Sequence, residues 1–226
     1  MLRVVNPYTD EQLIAWLRGL LTIAWIDGNF DDHEQELIAT TLFAELAPNL
    51  NQVSTKPITP EELAQVLGQN RGVAENFLRM AVMVAIADGI YSILEDRLLH
   101  QFCHALGQKK QVLEALRHTL CDCQESERSM SIPDAISAQT HGDVLHHVRD
   151  WLDGWEIHDP RVARFFCKMI PAQCPFERDI KLFGHKLVHI QPLCKLNPLY
   201  DQLVGLRFRA LSYLADECKE DVSAYC

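Results

Sequence analysis

Two carboxylates, Asp27 and Glu34, recur 61 residues later as Asp88 and Glu95, at the same internal spacing. They sit in AWIDGNFDDHE (Ala24 to Glu34) and AIADGIYSILE (Ala85 to Glu95), which share an Asp-Gly step, an aromatic residue and a closing glutamate. Oxygen-only donors of this kind suit a hard divalent cation, calcium or magnesium, better than zinc. A purely structural reading stands beside it. Asp27 and Asp88 each close a helix, where the macrodipole disfavours a carboxylate by roughly 0.3–1 kcal/mol, and the amides opening the next helix would compensate it. An EF-hand is excluded: counting from Asp27, Asp32 stands where the loop glycine belongs and Ile38 where the closing glutamate belongs.

Thiols form the second set. Cys174, Cys218 and Cys226 mark the ends of two helices expected near the C-terminus, with Cys194 in the loop between them. If those helices pack antiparallel, the first three thiols meet at one end. Cys194 falls roughly 20 Å away by helix rise. Three thiols with a fourth ligand such as Cys167 could hold an iron–sulfur cluster. Buried inert thiols, or a reversible disulfide such as Cys218 with Cys226, are the competing readings, and the cluster ranks behind the divalent cation as a cofactor. Three other groupings are weaker. His118, Cys121 and Cys123 are too tightly spaced for a zinc finger, and the pairs His100/His104 and His185/His189, each one turn apart on an expected helix, read as packing or surface residues.

Helical hairpins must position the carboxylates. Gly28 and Gly89 supply the left-handed residue that ends the first helix of each copy, and Asp31 with Glu34, or Ser92 with Glu95, makes a capping box for the second. Thr9 and Gln12 open a helix to about Asp27, followed by helices from Asp31 to Leu46, after Thr59-Pro60, from Gly72 to Asp88, from Ser92 to Leu106 with Gly107 as its stop, and from Lys109 to Cys121. The polar run 124–140, broken by Pro133, reads as a linker. Beyond it helices are expected from Gly142 to Trp155, from Asp159-Pro160 to Ile170, from Phe176 to Val188, and from Pro198 to Asp216 with Asn197 as cap. Trp151 and Trp155 supply an apolar stripe. The expected fold is all-α: a helical bundle over 1–123, the linker, and a smaller helical module over 141–226.

With 226 residues the chain can bury a core in each part, and 21 basic against 31 acidic residues leave a formal charge of −10. That charge disfavours nucleic acid and a polybasic membrane anchor, although peripheral membrane association stays open. No apolar run reaches membrane-span length, and the opening MLRVVNPYTDEQ lacks a signal-peptide core, so the expected location is the cytoplasm. Eight cysteines in such a compartment read as thiols or ligands before disulfides. The chain has no glycine-rich phosphate loop, HExxH or nucleophile elbow, so a binding protein with a protein partner is expected rather than an enzyme.

The doubled Asp-Gly…Glu unit resembles the tellurite-resistance TerB-like family over about residues 9 to 122. That resemblance implies a compact helical, metal-associated domain linked to stress response, with Asp27, Glu34, Asp88 and Glu95 as the corresponding acidic residues and no agreed enzymatic reaction. The phrases IPAQCPFERDIKLFG and PLCKLNPLYDQLVGLRFRALSYLADEC, with the closing YC, resemble a small domain named for the C-terminus of molybdenum-dependent nitrogenase. This second resemblance spans about Phe166 to Cys226 and implies a cyanobacterial accessory protein of poorly defined role. Nothing in the chain implies nitrogenase catalysis.

Overall fold

The computed structural model describes residues 7–26, 28, 56–86, 91–109, 111–120, 146–170, 172, 178–182, 185–190 and 199–225. Helix α1 (Asp10–Ala24) is followed by α2 (Pro60–Leu67), α3 (Arg71–Ala85), α4 (Ile93–Ala105) and α5 (Gln111–Leu120). Then come α6 over residues 146–153, α7 (Pro160–Met169), a hairpin of β1 (Arg178–Leu182) with β2 (His185–Ile190), and α8 (Tyr200–Ser212). The fold class is all-α, as expected, with one antiparallel strand pair among the described residues.

Local chemistry explains where the helices start and stop. Thr9 with Gln12 and Ser92 with Glu95 form two of the expected capping boxes, each closing two otherwise orphaned amides, while the one expected at Asp31 with Glu34 lies outside the described residues. Thr59 caps α2, with Pro60 in its first turn. Asn70, not expected as a cap, accepts from the amides of Gly72 and Val73 at the start of α3. Gly28 and Gly107 lie at φ 75° and 63°, the left-handed geometry that ends a helix at no steric cost.

Residues 176–188 were expected to continue as a helix, and the structure corrects this. Arg178–Leu182 pairs antiparallel with His185–Ile190, Leu182 opposite His185 and Arg178 opposite Ile190, with an irregularity in register between Ile180 and Lys181. The β-branched Ile180, Val188 and Ile190 suit extended backbone better than helix. His185 and His189 therefore stand about 13 Å apart along a strand rather than one helical turn apart. The two-helix frame that would have gathered the cysteines also goes: only α8 remains of it, and its last turn widens into a π-helical segment, Tyr213–Glu217.

The core is continuous from the first helix to the last. Leu13, Trp16, Leu20 and Ile23 line one side of α1 and are buried with Leu63 and Leu67 of α2, Phe77 and Ala81 of α3 and Phe102 of α4. Gly19 lets α1 and α3 approach, since a Cβ there would come within 2.7 Å of the Phe77 ring. Arg18 fastens the chain entering α2, donating to the carbonyls of Lys56 and Pro57 at 2.9 and 3.1 Å.

The C-terminal elements join the same core. Phe102 meets Phe77 edge-on at 5.6 Å, Phe77 meets Trp16 at 6.3 Å, Trp16 stacks on Trp155 at 5.9 Å, and Trp155 meets Phe166 of α7 at 4.9 Å. A line of aromatic rings thus crosses from one half of the chain to the other. Trp155 supplies the apolar contact expected of it, although α6 has ended by then and Gly154 turns the chain.

Candidate functional site

Of the four acidic candidates, Glu95 is among the described residues; Asp27, Glu34 and Asp88 lie outside them, as do Gly89 and the expected helix from Asp31 to Leu46. Glu95 is buried, and its Oε2 accepts the Ser92 amide at 2.8 Å while the Ser92 hydroxyl accepts the Glu95 amide at 3.2 Å. The capping role derived from its spacing is therefore realised.

The neighbouring Asp96 is a buried carboxylate that sequence reasoning passed over. Tyr91 donates its hydroxyl to Asp96 Oδ1 at 3.1 Å, His100 Nδ1 lies 3.4 Å from the same oxygen, and Arg117 Nε of α5 lies 3.5 Å from Oδ2. The aromatic shared by both sequence copies thus touches a carboxylate one residue past the repeated glutamate. The signal was the acidic pair Glu95-Asp96 itself, of which only the first has a capping role. His100 also contacts the Asp96 carbonyl at 2.8 Å, His104 is exposed, and Cys103 is buried with its thiol directed to the Gln108 carbonyl at 3.4 Å. The His100/His104 pair is a helix face, as expected.

Among the thiols, Cys174, Cys194 and Cys226 lie outside the described residues, as do Cys121 and Cys123, the side chain of His118, and the expected cap Asn197-Pro198. Cys103, Cys167 and Cys218 form no disulfide among the described residues. Cys218 follows the π-helical turn. Burial pushes its thiol up from the ordinary cysteine range, with a hydrogen bond to Tyr213 partly opposing. The Tyr213 hydroxyl donates to the His158 carbonyl at 2.8 Å, and burial, with Cys218 beside it, raises its pKa strongly. Surroundings of this kind favour a neutral thiol in the absence of a bound metal.

The segment after Cys218 is tied down by arginines. Arg164 of α7 grips Glu220 with three contacts of 2.8 to 3.0 Å, and this bond holds the carboxylate below the usual glutamate range. Buried Arg207 of α8 donates to the carbonyls of Ile170, at 2.8 Å, and Tyr225. An open cleft of about 440 Å³ lies between Glu156–His158 and the end of α8, with Phe208, Asp216 and Glu217 on its walls.

Polar contacts also bind the two halves. Arg79 of α3 donates to the Trp151 carbonyl at 2.7 Å and lies over the Trp151 ring at 5.4 Å, while the indole N–H donates to Glu75 at 3.0 Å. Fully buried Asp159 caps α7 and pairs with Arg161, whose guanidinium reaches across to Asp10 at 2.6 Å and to the Tyr8 carbonyl at 2.7 Å.

The described helices past α5 thus pack on α1 and α3. Residues 144–226 match the family model described as Mo-dependent nitrogenase C-terminus. The match begins just ahead of α6, so the matched stretch includes Trp151, Trp155, Asp159 and Arg161, the residues that make the joint. It starts earlier than the resemblance over Phe166 to Cys226 implied, close to the expected module boundary at 141, and it does not reach the doubled Asp-Gly…Glu unit. No curated protein and no solved structure matches the chain. Among the described residues no helix is long and apolar enough to cross a membrane.

Proposed function

We propose that the chain is a non-enzymatic accessory protein in which a TerB-like helical domain binds a divalent cation, calcium or magnesium, and the nitrogenase C-terminus module engages a protein partner. Asp27, Glu34, Asp88 and Glu95 would supply the carboxylates, with the doubled Asp-Gly…Glu unit as the supporting pattern. The observation that carries the reading is the joint between α3 and the module. Helix α3 leads directly into the second copy of the unit, and its Arg79 holds both the carbonyl and the ring of Trp151. A cation that set the geometry of that hairpin would act on the helix that carries the module. Cation binding and partner binding then become linked equilibria, each favouring one arrangement of the helices. A stress-response role follows from the TerB-like resemblance.

The redox alternative places an iron–sulfur cluster on Cys174, Cys218 and Cys226, of which Cys218 alone is among the described residues, and a cluster bound there would displace its thiol proton.

Calorimetry with calcium, magnesium and manganese tests the reading, paired with thermal unfolding of the wild type and an Asp27→Asn/Asp88→Asn variant. The expected result is binding in the micromolar to low-millimolar range, typical of sites with few carboxylates, and a metal-dependent rise in Tm that the variant lacks. Absence of binding by all three ions, with equal Tm values for both proteins in every metal, overturns it.

A further inference from the structure

Helix α6 carries His146, His147 and Asp150 on one exposed face, with one donor atom from each side chain within 4.8 Å of the others. His146 Nδ1 and Asp150 Oδ2 are 2.9 Å apart. At 3.6 residues per turn the three positions fall within about 100° of arc. Val148 and Leu152, which hold α6 against the core, lie on the opposite side and are buried. The three polar side chains therefore take no part in seating the helix. An exposed His–Asp pair also contributes little to stability. The side chains of His146 and Asp150 are 68% and 63% exposed, so a bound ion would keep its remaining coordination positions open to water.

We propose that His146, His147 and Asp150 form a surface site for a divalent transition-metal ion, with two neutral imidazoles and one carboxylate as ligands. Imidazole suits zinc, cobalt, nickel and copper, whereas calcium and magnesium are held by oxygen donors. The site is thus separate in position and chemistry from the acidic hairpins, and it stands or falls independently of them. It lies on the nitrogenase C-terminus module itself, directly before the Trp151 contact to α3.

Cobalt(II) is the probe, added to chelator-treated full-length protein and followed by visible absorption, with zinc titrations by calorimetry. The expected result is that the wild type takes up one more equivalent than a His146→Ala/His147→Ala variant. The difference spectrum should show ligand-field bands without the near-ultraviolet charge transfer of a thiolate ligand. Asp150→Asn should weaken that equivalent at least about tenfold, since even the loss of an outer-shell partner costs 10–100-fold. All three side chains are exposed, so circular dichroism should be unchanged and the comparison remains valid. A wild type that takes up no cobalt, or a double variant that binds the same number of ions with the same affinity, overturns the site.

Discussion

Trp16 of α1 and Trp155, within the stretch that matches the family model, stack with ring centroids 5.9 Å apart and planes inclined by 19°. Both rings are almost completely buried, and each continues into a further aromatic contact. The stack is an interior contact shared by two stretches of sequence that composition alone would separate.

Replacing Trp155 by alanine should therefore cost the whole protein about 3–5 kcal/mol, the usual range for emptying a buried aromatic site. Urea unfolding read by far-ultraviolet circular dichroism checks this. The midpoint should fall for the full helical signal. A loss under about 1 kcal/mol would mean that the stack contributes little.

Asp159 and Arg161 make the polar counterpart. Asp159→Ala removes the cap of α7 and leaves the guanidinium without its buried partner, a change expected to cost about 3–5 kcal/mol. A double-mutant cycle with Asp10→Ala separates the contributions. Coupling should appear because both carboxylates bind the one guanidinium. Strict additivity would show that the three residues do not act as one network.

Cys218 gives a prediction in the alkaline range. Its folded pKa lies above the unfolded one, so the neutral thiol contributes fully below about pH 8.5 and the contribution fades as pH rises through the raised value. Iodoacetamide labelling of the native protein, mapped by mass spectrometry, should show Cys218 reacting along a pH profile displaced upward from that of the urea-unfolded chain. Coincident profiles would refute the shift.

Glu220 behaves in the opposite sense. Its bond to Arg164 depresses the folded pKa, so the contribution is complete above about pH 4.3 and disappears as pH falls through the lowered value. Glu220→Gln should flatten the acid limb of a Tm-against-pH curve. The effect should be small because the Arg164 side chain is 42% exposed. An acid limb identical to that of the wild type would remove Glu220 from the account.

What could be read from the sequence was whatever neighbours in the chain decide. Thr9 finds Gln12 and Ser92 finds Glu95 three residues on, and Gly28 and Gly107 adopt the left-handed turn because only glycine does so freely. The strand pair within 178–190 escaped because so short a stretch fits either period, and the β-branched Ile180, Val188 and Ile190 were the signal for extended backbone. Asp96 escaped for another reason. Arg117, 21 residues further on, comes near it only through the packing of α4 against α5. The Arg79–Trp151 and Arg161–Asp10 contacts span 72 and 151 residues, beyond any local pattern.

Arg207 shows how such a long-range tie can tolerate drift. It holds the chain at Ile170 and Tyr225 by main-chain oxygens, which every amino acid possesses. Positions 170 and 225 can therefore change identity without loosening the clasp, provided the backbone keeps its path. Position 207 has no such freedom. A lysine there carries one compact charge in place of a planar fork, and it could not reproduce both bonds in the same geometry.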